Sequence, residues 1–280
     1  MRDIAVICIW YNPTEDLIKR WTSMDIDACR LIVVDNTPKD KINSGFNLRE
    51  SEKFFYLPLY ENMGIAAAQN MGIAKAKELG YKYVVFFDQD SEVDSELIEN
   101  LRRDFDKIKS SGVKVGAVGP TVVEISSGKS YIPDSKKSDN ANEVISMISS
   151  GTFTEISVLE DVGGMEESLF IDMVDYEWCW RAVSKGYRLF ISPNAILKHQ
   201  VGMNFFTLAG MHIVVSSPFR YFYRIRNLRR MLLRGYVPFK WKVKSVIKNG
   251  VTILAIPFVS NFKGHRLETL KYSLKGLISK

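Results

Sequence analysis

Asp88-Gln89-Asp90 closes the run Tyr81-Lys82-Tyr83-Val84-Val85-Phe86-Phe87, so a strand-forming stretch delivers two carboxylates, one residue apart, to a loop. Such a pair suits a hard divalent cation such as Mg²⁺, which takes oxygen ligands and shares them with a substrate diphosphate. It equally suits a solvated turn in which Asp88 or Asp90 caps the next helix. The surrounding residues bear on the choice. Tyr11-Asn12 follow the apolar run Ile4 to Ile9, Asp35-Asn36 follow Leu31-Ile32-Val33-Val34, and Asn62-Met63-Gly64 precede an alanine-rich segment. Ligands of open α/β sheets collect at the carboxyl ends of strands, so these groups are expected to converge on one sheet edge. Asp35 can accept from an imide N–H or a ribose hydroxyl, and Asn36 can donate and accept. Gly64 would let helix amides approach a ligand closely, while Asn62 either caps that helix or reaches the ligand.

The elements that must position these groups alternate. Strands are predicted at Ile4 to Ile9, Leu31 to Val34, more weakly Phe54 to Leu57, the run ending at Asp88, and Val115 to Val118. Helices are predicted from Thr14 to Ser23, from Gly64 to Leu79 with Gly80 as its stop, and from about Ser95 to Lys109. That alternation implies a mostly parallel sheet with helices on both faces. After Pro120 the pattern turns short and polar, which predicts that the parallel sheet has ended and that Ser135 to Asn142 is a mobile loop. A short helix from Ile156 to Val162, a longer one from about Asp175 to Lys185, and two short strands at 189–191 and 195–197 lead to His199. From Ser217 onward the pattern is helical and basic. The chain lacks a P-loop and a Gly-x-Gly-x-x-Gly fingerprint, so nucleotide binding would need another device.

With 280 residues, 46% hydrophobic and 25% charged, the chain has the composition of a globular protein with a full core. Cys8, Cys29 and Cys179 lack metal-ligand spacing and read as buried reduced thiols in a reducing compartment. The start Met1-Arg2-Asp3 has no signal-peptide pattern, and the run Val251 to Val259, interrupted by Pro257, is far shorter than the roughly 20 residues needed to span a bilayer. The net charge of +6 is unevenly spread: residues 211–280 hold fifteen Lys and Arg against the single acid Glu268, leaving residues 1–210 at −8. An anionic partner for the tail follows, either lipid head groups or nucleic acid. Around Phe222, Ile225, Arg226 and Arg229, and again where Trp241, Val243, Val246 and Ile247 alternate with Lys240, Lys242, Lys244 and Lys248, the spacing favours an interfacial helix on anionic lipid, and nucleic acid is not expected.

Several segments taken together, Tyr11-Asn12-Pro13, Val34-Asp35-Asn36-Thr37, Asn62-Met63-Gly64 through Asn70-Met71-Gly72, Phe87-Asp88-Gln89-Asp90, Ser150-Gly151, Val162-Gly163-Gly164-Met165, Phe170-Ile171-Asp172-Met173-Val174-Asp175-Tyr176-Glu177-Trp178-Cys179-Trp180-Arg181 and His199, resemble the family 2 glycosyltransferases of the GT-A fold. The Phe170 to Cys179 segment is most similar to the bacterial rhamnosyltransferases that assemble surface polysaccharides. The resemblance covers residues 4 to 205 and implies a GT-A domain over 1–205, with a Rossmann-like, mostly parallel sheet, followed by a basic amphipathic helical extension over 206–280. It implies inverting transfer from a dTDP- or UDP-linked sugar, most simply dTDP-rhamnose, to a saccharide or lipid-linked saccharide acceptor. UDP-hexose and UDP-N-acetylhexosamine donors stay open, as does a non-enzymatic nucleotide-, RNA- or lipid-binding protein.

The resemblance further assigns donor contacts to Tyr11, Asn12, Asp35, Asn36, Asn62, Gly64, Asn70, Asp88 and Gln89. It assigns Mg²⁺ or Mn²⁺ to Asp90, Asp88 and His199, with Asp90 the direct ligand and His199 either on the metal or diphosphate or purely structural. Inversion needs one displacement with a base opposite the leaving group. Asp175 is the expected base and Asp172 its substitute, although relatives carry an acidic pair where Val174-Asp175 stands and Asp175 could instead be a helix N-cap. Trp178 and Trp180 stay unassigned between sugar stacking and core, and Ser149-Ser150-Gly151-Thr152 between acceptor contact and capping. The expected location is the cytoplasm, peripherally on the inner face of the plasma membrane.

Overall fold

Residues 3–24, 26, 29–42, 48, 51–124, 140–199, 205–208, 211–259, 262 and 264–279 are described by the computed structural model. Strands β1 (Ile4–Trp10), β2 (Arg30–Asp35), β3 (Phe54–Pro58) and β4 (Tyr83–Asp88) alternate with helices α1 (Glu15–Ser23) and α2 (Ile65–Glu78). The strands are apolar on both faces because both faces are covered. In β1, Ala5, Ile7 and Ile9 join one core cluster and Ile4, Val6, Cys8 and Trp10 the other. Thr14 caps α1 by accepting from the Leu17 N–H, and Asp94 caps α3 (Ser95–Ser110) by accepting from Leu97.

The eight strands of the main sheet run β3-β2-β1-β4-β7-β5-β8-β6. β1 is parallel to β2 and β4, and β2 to β3, so these four strands end on one edge. β5 (Val115–Glu124) and β8 (Arg188–His199) are also parallel, which corrects the expectation that the parallel sheet ends at Pro120. β5 passes through Pro120 at a register shift between Gly119 and Thr121, where an irregular ladder tolerates a missing N–H. The two strands predicted at 189–191 and 195–197 are one. Across Pro193 the chain is held by the Ser192 hydroxyl, which accepts from the N–H groups of Asn194 and Ala195 while donating to Asp104. β7 (Phe153–Glu155) runs antiparallel between β4 and β5, and β6 (Asn142–Val144) is an antiparallel edge strand on β8. Of the loop predicted at Ser135 to Asn142, residues 135–139 lie outside the described residues and Asn142 opens β6.

α4 (Ile156–Val162) and α5 (Val174–Ser184) complete the layer over β1 and β4. A hairpin of β9 (Phe205–Leu208) and β10 (Met211–Val214) then leads to α6 (Pro218–Leu232), α7 (Phe239–Ala255) and α8 (Arg266–Ile278). α8 lies so close to α6 that a Cβ at Gly276 would sit 2.5 Å from the Phe222 carbonyl oxygen. Among the described residues no helix is long and apolar enough to cross a membrane. All three cysteines are buried and outside any disulfide.

Candidate active site

The loops after β1, β2 and β4 are tied side by side. The Tyr11 N–H donates to Gln89 Oε1 at 2.8 Å, and Gln89 Nε2 returns a bond to the Tyr11 carbonyl. Asn12, at φ +46°, donates its N–H to Thr37 Oγ1 at 2.7 Å. The Gln89 carbonyl accepts from Arg20 Nη2 and Trp21 Nε1, both at 2.7 Å. Gln89 therefore braces the loop through its main chain and its side chain alike, a role its place between two acids does not announce.

Asp35 and Asn36 lie in the floor beneath these loops. Asp35 is 3% exposed and accepts from the Thr37 N–H at 3.1 Å and the Tyr56 hydroxyl at 2.7 Å. Burial and this carboxylate push the Tyr56 phenol above its ordinary range, so it stays protonated as a donor. Asn36 donates to Asn62 Oδ1 at 3.0 Å and accepts from the Met63 N–H at 2.8 Å, and Asn62 Oδ1 also takes the Gly64 N–H. Asn62 thus holds the amide of Gly64, itself the N-cap of α2, rather than capping the helix. Gly64 adopts φ +86°, and a Cβ there would lie 2.6 Å from the Phe170 ring. The Phe170 carbonyl in turn accepts from the Ile65 N–H at 2.8 Å.

Asn70 clasps α2 to the turn before α5. Its Nδ2 donates to the Met165 carbonyl at 2.9 Å and to Glu167 Oε1 at 2.8 Å, and its Oδ1 accepts from the Met165 N–H at 2.7 Å. The amide expected to touch a donor is committed inside the protein.

Asp88 and Asp175 approach each other from different elements. Asp88 is half-buried at the end of β4, its N–H pointing to Ser150 Oγ at 3.4 Å. Asp175 lies in the first turn of α5 with Oδ1 on the Tyr176 N–H at 2.8 Å. Its pKa is pushed up to about 6, first by loss of water and then by the negative charges of Asp88 and Asp172, while the Tyr176 amide opposes the rise. The N-cap of α5 is Met173, not Asp175, which corrects the capping alternative. Asp172 lies two residues before α5 rather than on it. Phe170, Asp172 and Met173 all have φ between +63° and +68°, and Asp172 is ion-paired with Arg220 of α6. Asp90 is exposed and makes no hydrogen bond or ion pair with another described residue. The His199 side chain lies outside the described residues, as its strand pairing with Glu124 concerns the backbone alone.

Four side chains hold this arrangement in roles that spacing does not reveal. The spacing puts Arg226 with Ile225 on a lipid-facing stripe, whereas Ile225 is buried and Arg226 turns to the protein. The Asn227 side-chain nitrogen, fully buried on α6, faces the carbonyls of Leu169, Ile171 and Asp172 at 2.8, 2.8 and 3.0 Å. Arg226 Nη2 and Arg230 Nη1 both donate to the Ser168 carbonyl. Glu177, wholly buried, joins Arg181 at 2.9 Å and Arg234 at 2.7 Å and accepts from the Tyr236 hydroxyl. Trp178 and Trp180 are buried, the first donating to the Gly163 carbonyl and the second packed on Trp241, which settles both as core. The Ser149 to Thr152 loop precedes β7 rather than a helix, and Ser150 Oγ lies 2.7 Å from Ser91 Oγ.

A mixed, largely parallel sheet whose strand ends gather acids and amides defines an α/β fold with its candidate site at those ends. The comparisons place it more closely. Residues 8–155 match the model of glycosyl transferase family 2. The dTDP-rhamnosyl transferase RfbF of Shigella flexneri is 33% identical over 96% of this chain and 94% of its own. Residues 1–349 of S. aureus TarS, solved in complex with UDP, superpose with a TM-score of 0.54 at 15% identity, over 95% of this chain and 75% of that one. GalNAc-T7, solved with UDP, GalNAc and Mn²⁺, gives 0.56 at 13% identity, over 97% of this chain and 57% of that one. The chain belongs to glycosyl transferase family 2: it is a rhamnosyltransferase-like glycosyltransferase of GT-A fold.

Proposed function

We propose that the protein is an inverting, divalent-cation-dependent rhamnosyltransferase that moves L-rhamnose from dTDP-rhamnose to a saccharide acceptor, carried on a lipid, in surface polysaccharide biosynthesis. The likeness to RfbF over nearly the whole chain supports the donor. The observation that carries the mechanism is the approach of Asp175 to Asp88. A carboxylate whose pKa is raised to about 6 is still ionised near neutrality, yet is a stronger base than an ordinary one. In this reading Asp175 takes the proton from the acceptor hydroxyl as that oxygen attacks the anomeric carbon, and the bond to the diphosphate breaks on the opposite face. Asp172, held by Arg220, adds negative charge nearby rather than serving as the base.

The donor set fits a hard cation. Among the described residues no group of three or more His, Cys, Asp or Glu forms a closed metal site, but Asp88 and the unpaired Asp90 offer carboxylate oxygens that a diphosphate and water would complete. Bound there, Mg²⁺ or Mn²⁺ would neutralise charge growing on the departing diphosphate. The nucleotide would lie along the Tyr11, Asn12 and Gly64 rim, over a floor of Asp35 and Asn36, with Asn70 and Gln89 holding the surrounding segments in place. The domain division at residue 205 and a place at the inner face of the plasma membrane, where a lipid-linked acceptor is presented, belong to the same reading.

Calorimetric titration and a transfer assay with dTDP-rhamnose, UDP-galactose and UDP-N-acetylglucosamine, with and without Mn²⁺, test it. The expected result is cation-dependent binding and turnover of dTDP-rhamnose that Asp90→Ala lowers by at least about 100-fold. Turnover of a UDP-sugar instead would replace the donor. Binding of RNA with no affinity for any donor would end the enzymatic reading.

A further inference from the structure

The last two helices are built inside out. On α7, Phe239, Val243, Val246, Ile247 and Leu254 fall on one stripe, and all five are exposed, Phe239 by 77% and Leu254 by 74%. The side of α7 turned to the protein carries Asn249, Thr252 and Ala255. On α8 the buried stripe is Thr269, Ser273 and Gly276, whereas Leu267, Leu274 and Ile278 on the other side are exposed, Leu267 by 84% and Ile278 by 82%. Phe258, just past α7, is 85% exposed. Surface helices of water-soluble domains place apolar residues inward and polar ones outward. Here Thr252, Thr269 and Ser273 on the buried polar face donate to their own helix carbonyls four residues back, while Asn249 Oδ1 is buried with no hydrogen-bond partner among the described residues. Large side chains are left in water on both helices, which marks a contact surface rather than scattered exposure.

Charge selects the occupant. Residues 211–280 carry fifteen cations and one acid, and Lys240, Lys244, Lys271 and Lys275 are exposed on these same helices. A second copy would set two such surfaces of like charge against each other. Nucleic acid would satisfy the lysines and leave the leucines and phenylalanines in water. An anionic bilayer surface meets both demands, phosphate for the lysines and acyl chains for the stripe. We infer that α7 and α8 form a membrane-docking layer whose outward apolar stripes insert among the acyl chains of an anionic bilayer. This deepens the membrane placement proposed above and rests on it, but requires nothing of the donor sugar. Attachment is hydrophobic in its main part, so salt weakens it without abolishing it.

The test uses the full chain, flotation with vesicles of phosphatidylglycerol and phosphatidylethanolamine or of phosphatidylcholine alone, and the triple variant Phe239→Ser, Leu254→Ser, Leu274→Ser. All three sites are exposed, so the fold has little to lose. The wild type should float with anionic vesicles even in high salt, and the variant should bind on the order of 100-fold more weakly while transferring sugar to a soluble oligosaccharide at the wild-type rate. Equal flotation of the variant would overturn the inference. So would a lipid-free dimer that the substitutions dissolve, or RNA binding that they leave intact without any vesicle binding by the wild type. Absence of transfer in both proteins would count against the proposed activity and leave the docking result to be read separately.

Discussion

Asp88, at the end of β4, and Asp175, in the first turn of α5, are close enough that the Asp88 charge adds to the rise that burial imposes on the Asp175 pKa. They belong to segments almost ninety residues apart. Asp175, at about 6, sits above its ordinary carboxylate value, so the fold favours its neutral form. Its contribution to stability is full below pH 4 and is lost as pH rises through 6, and above that the ionised group is a net cost. Asp175→Asn should therefore stabilise the protein near pH 8, by about 1–3 kcal/mol, while lowering transfer at least about 100-fold. Urea titrations at pH 5 and pH 8 together with the transfer assay check both signs. A carboxyl resonance titrating near 4 in the free protein would refute the raised pKa. Cation and dTDP together should shift that midpoint down, because charge on Asp88 would then be neutralised.

The sheet and its site edge were legible for a physical reason. Strands buried on both faces need unbroken apolar runs, and polar residues directly after Trp10, Val34 and Phe87 could belong only to their carboxyl ends. The convergence of Tyr11, Asn36 and Asp88 follows from parallel pairing alone. What spacing could not reveal is which polar side chains are spent inside. Asn70 and Gln89 sit in the ligand-like motifs, yet their partners are carbonyls and amides of segments distant in sequence. β8 read as two strands because Pro193 breaks the pattern, and the Ser192 hydroxyl that repairs it has no sequence signature. The left-handed turn at Phe170, Asp172 and Met173 contains no glycine to betray it. Its carbonyls are held from outside, by Asn227 and Arg226 of α6.

Glu177 shows the same limit and yields a stability test. Its spacing to Arg181 suggests a helix-surface pair, but the carboxylate is wholly buried and shared with Arg234, which also reaches Glu166. Removing one partner leaves an uncompensated buried charge. Glu177→Leu should cost about 3–5 kcal/mol in urea denaturation, and the double variant Glu177→Leu, Arg234→Met less than the two single changes summed. A loss within about 0.5 kcal/mol, the range of ordinary surface changes, would show that the network bears no weight.

Asn227 links α6 to the bend before Asp175. Its amide faces three carbonyls of the bend that carries Asp172 and launches α5, and three non-glycine residues in that bend hold left-handed backbone, a conformation that persists only where surroundings over-determine it. Asn227→Leu keeps the volume and removes the donors, so the bend should relax and Asp175 should leave its place beside Asp88. In the proposed reading Tyr11 and Asn12 are tied to Gln89 and Thr37 rather than to the bend, and Gly64 touches it through Phe170, so dTDP affinity should fall by less than about tenfold while kcat falls on the order of 100-fold, the loss that a displacement of about 1 Å can bring. Should that variant fail to fold, Arg226→Met, which removes two bonds to the Ser168 and Leu169 carbonyls from the helix surface, should show the same split in milder form. Unchanged kcat in a folded variant that binds dTDP would mean that the bend holds itself, and that α6 packs against the site without shaping it.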